Sequence, residues 1–445
     1  EEMELALEEA AYTLMKRSGF IDSQTFAPEV QKKRDMYVMG AGSIVRYQFK
    51  GDVYDVAPEG KHPVYRYAKP LFLGMSMKDY LKYYEGIITV LSPIHVGNGA
   101  EIGKKEYIYQ PWNHMVIIPD VAKMYMDIKR KGLEDKFIRF MTDTSPKSMP
   151  LSMWLKENGY GGADYVKWKK YEMDAGDAFS SGKDRPKGIM TFNKDSYGMP
   201  YIPGSSIKGV LRSALLAWEI QKNPEKYKRN KNEIELKSRE RANRKHCLEH
   251  EINRLEQDVL YTLNRNEKKI GNAVNDKLAN LIIGDSAPIA LDDIILCQKI
   301  DVNLRKEEKK LPILREAVRP GTQIRFSMTV QQDESNNFYS VENIMEAVNC
   351  METLSNRYFY EKFGRGSKEA DIIRLGGGCG FVSKTVLISL CEEKTVEVVD
   401  NVFKNTLGKK YEEHKHGRDR RLGVAPHTCK CTRYNGKLYD MGMGN

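Results

Sequence analysis

The segment Pro203-Gly204-Ser205-Ser206-Ile207-Lys208-Gly209-Val210-Leu211-Arg212 has the residue types of an anion site. An extended apolar lead stops at Pro203-Gly204, and Ile207, Val210, Leu211, Ala214, Leu215 and Trp218 then recur at helical spacing. Ser205 or Ser206 can cap such a helix, leaving other first-turn N–H groups pointing outward where the dipole favours phosphate. Lys208 and Arg212, one turn apart, add two cations on the same flank. The plainer reading is a capped structural helix with solvated cations.

Two more glycine-bearing loops carry similar chemistry. His95 is the single catalytic candidate, since a loop histidine beside a phosphate path can be a general acid or base, with Glu101 and Glu106 close in sequence. The simpler role for His95 is packing or hydrogen bonding within the Pro93–Gly99 turn. Gly97, Asn98 and Gly99 follow it, with Lys104 and Lys105 beyond. Gly376, Gly377, Gly378 and Gly380 form the third loop, between Arg374 and Lys384. Glycine lets backbone N–H groups approach a phosphate closely. Three such loops with neighbouring cations therefore point to a phosphodiester backbone, against the alternative of tight turns needing positive φ. Gly378–Thr385 nearly fits a nucleotide-binding P-loop, but Ser383 stands where glycine is required.

Metal chemistry is thinly supported. His246 and His250 lie four residues apart, and Cys429 and Cys431 come near His414, His416 and His427 without paired CxxC spacing. Both groups read more simply as structural or solvated His and Cys, so no metal and no cofactor is expected. Aromatics interleave with cations at Tyr65-Arg66-Tyr67, Tyr165–Tyr171 and Asn356–Tyr360, a combination suited to stacking single-stranded bases.

The elements that must position these residues follow from periodicity. Residues 4–17 read as a helix, and 20–73 as short extended pieces such as Met36–Met39, Asp52–Val56 and Val64–Leu73. A boundary falls near Gly74–Lys82. Strands are expected at Ile87–Leu91, Glu106–Gln110 and Met115–Ile118, then a helix capped by Asp120. Residues 141–200 look like an irregular, partly mobile insertion. A charged helical stretch follows, and across 222–245 ten Lys or Arg stand against four Glu. Strands return at Leu281–Gly284, Ile294–Ile300 and Thr322–Val330. A helix from Ser340 to Phe363, a strand at Lys384–Leu390 and a basic, turn-rich tail over 401–445 complete the chain. The order βαβ then ββ, appearing twice, argues for an α+β chain of tandem ferredoxin-like (RRM-like) domains with a helical charged insertion.

With 445 residues, two or three domains are expected, and a net charge of +10 favours an anionic partner. No apolar run is long enough for a bilayer, and seven scattered cysteines read as a reducing, cytoplasmic setting without disulfides. Glu1 in place of an initiator Met predicts a chain that begins inside a longer polypeptide or after processing.

Leu91–Gly99, Tyr201–Arg212, the Gly376–Gly380 loop before Lys384-Thr385 and the ending Leu438–Gly442 together carry a resemblance. Over about residues 84–445 the chain resembles the fifth-subunit family of the Csm complex, the type III-A CRISPR effector, within the RAMP superfamily. Gly51–Val56 and His62–Phe72 are similar to the C-terminal end of the fourth-subunit family, which assigns 1–76 to such a fragment. The domains expected are then 84–310, with insertions at about 141–200 and 221–269, and 311–445. The resemblance implies a non-catalytic scaffold that caps the filament at the 3′ part of a guide RNA and supports guide maturation. It implies as partners guide RNA, target RNA, other Csm subunits (above all the backbone and small subunits) and host nucleases, with no membrane. Target cutting in that family belongs to an Asp of the backbone subunit, and the matching loop here, Val96–Glu101, has none. The alternative is a metal-independent RAMP endoribonuclease that processes CRISPR precursors through His95. A third reading, a protein-interaction module with incidental basicity, predicts no salt-dependent RNA affinity.

Overall fold

The computed structural model describes residues 10–45, 48–58, 62–72, 81–145, 147–179, 188–240, 246–331 and 338–445. They fall into two compact units, residues 1–78 and 79–445. In the first unit, antiparallel ladders pair Leu14–Arg17 with Met36–Met39, Phe20–Ile21 with Gln31–Lys32, and Asp52–Asp55 with Tyr65–Ala68. The helix expected over 4–17 is a strand at Leu14–Arg17, because ladder pairing with Met36–Met39 outweighs local helical propensity. Residues 1–9 of that expectation lie outside the described residues. Among the described residues, the buried apolar cluster of this unit is Ile21, Phe26 and Ala57, with Ala27 and Val64 packed against it.

The strands of the second unit are β1 (Leu81–Thr89), β2 (Gly97–Ile102), β3 (Ile108–Gln110), β4 (Met115–Pro119), β5 (Lys169–Asp174), β6 (Ile189–Phe192) and β7 (Leu281–Ile283). They continue with β8 (Ile294–Asn303), β9 (Glu308–Val318), β10 (Gln323–Gln331), β11 (Ile373–Arg374), β12 (Thr428–Tyr434), β13 (Lys437–Asp440) and β14 (Met443–Gly444). A nine-stranded sheet runs β2-β6-β9-β8-β5-β4-β3. The edge of β8 away from β9 is shared, with β5 parallel at Ile295 and β12 antiparallel at Ile300–Asn303; β13 extends from β12. A separate sheet has the order β7-β10-β1, and β11 pairs with β14.

The apolar stripe beginning at Ile207 buries Ile207, Leu211, Ala214 and Leu215 as the helix Gly204–Lys222 packs on the helix Val341–Tyr358. Ser340 caps the latter in a reciprocal capping box with Asn343. The architecture is α+β, with the main core between these helices and the sheets.

Several expectations change. Residues 141–200 are no loose insertion: they supply the helices Leu151–Glu157 and Gly162–Trp168 and two strands of the large sheet. Trp168 and Phe192 there are fully buried, because only tertiary packing reveals apolar residues spaced by Gly and Lys as core. Residues 180–187 of this expectation lie outside the described ones. The strand expected at Lys384–Leu390 is a 3-10 turn over Val382–Lys384 and a short helix over Leu387–Cys391, buried on all sides and so without strand alternation. The basic tail also contributes core residues, since Cys429 and Cys431 are fully buried on β12. The boundary drawn between 310 and 311 runs through β9, whose register with β8 spans both sides of it. No described helix is long and apolar enough to cross a membrane.

Candidate nucleic-acid interface

Two of the three glycine loops meet. Gly376, Gly378 and Gly380 all adopt positive φ (85°, 94° and 95°). A Cβ on Gly376 would lie 2.1 Å from the His95 carbonyl oxygen, and the Gly377 N–H donates to that oxygen at 2.6 Å. The loop is anchored from behind by Arg374, which makes a buried bidentate pair with Glu352 (2.9 and 2.7 Å) and lies 3.6 Å above the Tyr360 ring. Arg374 is thus neutralised internally. His95 is buried, its Nδ1–H donating to the Glu316 carbonyl at 2.6 Å. Burial pushes its pKa down to about 4, partly offset by that hydrogen bond. Burial and the hydrogen bond to Glu316 fit the simpler, structural role for His95, packing within its turn.

The 203–212 motif is also corrected. The helix starts at Gly204 with no side-chain cap from Ser205 or Ser206, and the Gly204 N–H donates to Asp285 Oδ1 at 2.8 Å. A carboxylate already occupies that donor. Gly204 is needed for close approach, since a Cβ would sit 2.3 Å from the Ile283 carbonyl oxygen. Lys208 Nζ donates to the carbonyls of Leu278 (2.8 Å) and Leu281 (2.7 Å), and burial lowers its pKa. Arg212 pairs with Asp276 at 2.6 Å and Glu256 at 3.2 Å. Both cations turn inward to fasten the helix to 276–281, and Gly209 is an exposed helical residue with open space around it.

Around the first loop, Gly97, Asn98 and Gly99 lie on β2, an exposed end strand of the large sheet. Asn98 Oδ1 accepts from Ala100 N (2.9 Å) and Thr191 Oγ1 (2.6 Å). Lys105 caps the C-terminus of the helix Glu134–Thr142 through the carbonyls of Phe140 and Asp143. The Lys104 carbonyl accepts from Leu151 N at 3.1 Å. In the cationic 222–245 stretch, Lys228, Lys231, Lys237 and Arg239 pair with glutamates, so much of that face is neutralised; 241–245 lie outside the described residues.

Sequence reasoning missed the most unusual cations. Lys299 on β8 and Arg315 on β9 are half-buried, and burial lowers both pKa values. Neither side chain has a hydrogen bond or close ion pair among the described residues, and Arg315 Nη1 is buried without a partner. Lys430 on β12 repels Lys299, while Asp301, which pairs with Lys430 at 2.9 Å, attracts it from beyond ion-pair distance. A Cβ on Gly380 would lie 3.3 Å from Lys430 Cγ, which sets the glycine loop against this cluster. Exposed Lys384 follows the loop, and part-exposed Phe381 stands edge-on to Phe403 at 5.4 Å. A desolvated cation without a counter-ion is costly, and an incoming anion relieves that cost. The available signal was one cation within each apolar run, Ile294–Ile300 and Ile313–Val318.

The Cys and His residues near the C-terminus separate into two groups, Cys429 and Cys431 with Asp440, and His416 and His427 with Asp419. Exposed His246 pairs with Glu249.

Comparison with known proteins agrees with the two-unit division. Residues 1–75 match the family "CRISPR Csm4 C-terminal domain". A Mycobacterium tuberculosis "CRISPR system Cms protein Csm5" is 28% identical over 390 residues, covering 82% of this chain and 98% of the relative. A "CRISPR system Cms protein Csm4" of the same species is 49% identical over 75 residues, 17% of this chain and 25% of the relative. A chain of a solved structure, described as a Csm-crRNA-target RNA ternary complex in a type III-A CRISPR-Cas system, aligns with a TM-score of 0.53 at 19% identity. That alignment covers 81% of this chain and 99% of the other. Residues 87–383 match the family "RAMP superfamily", two thirds of the molecule including β1 to β11 and the glycine loop, and the chain belongs to the RAMP superfamily.

Proposed function

We propose that this chain is an RNA-binding scaffold subunit of a type III-A Csm complex, capping the filament at the 3′ part of the guide RNA and supporting guide maturation. The likeness to Csm5 over nearly the whole relative supports the subunit assignment. The observation that carries RNA binding is the pair Lys299 and Arg315, partly desolvated and with no carboxylate in close ion-pair contact, beside the Gly376–Gly380 loop. Phosphates take the place of the missing counter-ions, the loop supplies backbone approach, and Phe381 offers a ring for a base. Lys384, Gly97, Asn98 and Gly99 extend this surface; Lys208 and Arg212 hold the scaffold. The reading includes guide and target RNA, the other Csm subunits and host nucleases as partners. It also includes two ferredoxin-like halves fused through the β8–β9 ladder, with a fourth-subunit-like piece over 1–76. The buried, neutral His95 weighs against the endoribonuclease alternative.

Binding of single-stranded CRISPR repeat–spacer RNA across a salt series tests this. Lys299→Ala with Arg315→Ala should weaken binding across sequences and reduce the salt slope by roughly 1 to 2. Lys208→Ala should lower stability and leave the slope unchanged. An unaltered slope in the double variant would sink the proposal.

A further inference from the structure

Behind Phe403, whose ring is 4.8 Å from that of His416, three ligating side chains converge near the C-terminus. Asp419 is fully buried, with Oδ2 2.9 Å from His416 Nδ1 and Oδ1 2.5 Å from His427 Nδ1. Among the described residues no Lys or Arg pairs with it, and the adjacent Arg420 turns to Asp400 and Asn401. Both rings present Nδ1, and the ligand atoms all lie within 4.8 Å of one another.

We propose that His416, Asp419 and His427 form a binding site for a divalent first-row transition ion of the zinc type. The ion is ligated by the two Nδ1 atoms and Asp419, with water completing its shell. Donors around a tetrahedral zinc at 2.0–2.1 Å stand about 3.3 Å apart, so small outward shifts admit the ion. Imidazole and carboxylate without thiolate suit zinc rather than monovalent copper. The neighbouring Cys429, Cys431 and Asp440 group differs, because Arg365 pairs with Asp440 and brings a cation to its carboxylate. Bound metal would tie the turn His416–Arg418, the short helix Asp419–Leu422 and the start of β12, where the sequence alone argued for no metal.

The test uses the full chain, stripped with a chelator and titrated with Zn2+, then with Co2+ for its d–d absorption. One ion per chain, a Co2+ spectrum of nitrogen and oxygen ligation and a raised thermal midpoint are expected. Asp419→Asn and His427→Gln should weaken binding by at least about tenfold, while His246→Ala with His250→Ala leaves it unchanged. Sub-stoichiometric metal, or binding that follows His246 and His250, overturns the site and leaves a hydrogen-bonded His–Asp–His array. If Asp419→Asn fails to fold, His427→Gln and the wild-type Co2+ spectrum still decide.

Discussion

His95 illustrates how burial decides a residue's role. Its ring is enclosed by Phe192 and the glycine loop, and its Nδ1–H is committed to Glu316. Its pKa is about 4 in the folded protein against 6.5 ordinarily, so the unfolded chain takes up a proton first as pH falls. His95 therefore contributes stability that is present above pH 6.5 and is lost progressively down to about 4. The shift corresponds to roughly 3 kcal/mol at full expression. Urea midpoints should fall between pH 7 and pH 4.5 in the parent, and His95→Gln should flatten that dependence. An equally steep fall in the variant would assign the effect to other groups. Arg315 shows the converse case: its guanidinium is partly desolvated with Nη1 buried and unpartnered, a cost that a bound anion would relieve.

Among elements, glycine has opposite meanings in two motifs of similar appearance. At Gly376 a positive φ of 85° and a carbonyl 2.1 Å from any Cβ leave no room for a side chain. Gly376→Ala should cost about 2–3 kcal/mol in chemical denaturation and weaken RNA binding with it, since the loop and His95 are laced together. Gly209 sits in the interior of the helix Gly204–Lys222 with nothing within 4 Å. Gly209→Ala should stabilise by about 0.5–1 kcal/mol and leave RNA affinity intact. Loss of RNA binding in that variant would return the helix start to the interface.

At the scale of the whole molecule the two units have unequal cores. Among the described residues, the first unit buries one small cluster around Phe26, whereas the second holds several, the largest from Ile88 to Ala425. A unit with so small a core is marginal by itself. Limited proteolysis should therefore remove the first unit early and leave a fragment near 81–445 that keeps its RNA affinity; simultaneous loss of both would contradict independent folding. The α+β class, the Asp120-capped helix, the β3–β4 hairpin and the RAMP motifs were all legible in the sequence, because caps, turns and periodicity are local. Sequence also marked the loops at His95 and Gly376 as notable. That they touch each other, that Lys208 and Arg212 point inward to Leu278 and Asp276, and that Lys299 and Arg315 lie half-buried near Lys430 without a close ion pair became visible only in the tertiary structure. The physical reason is that charge compensation depends on which strands become neighbours across hundreds of residues, and local spacing carries no record of that pairing.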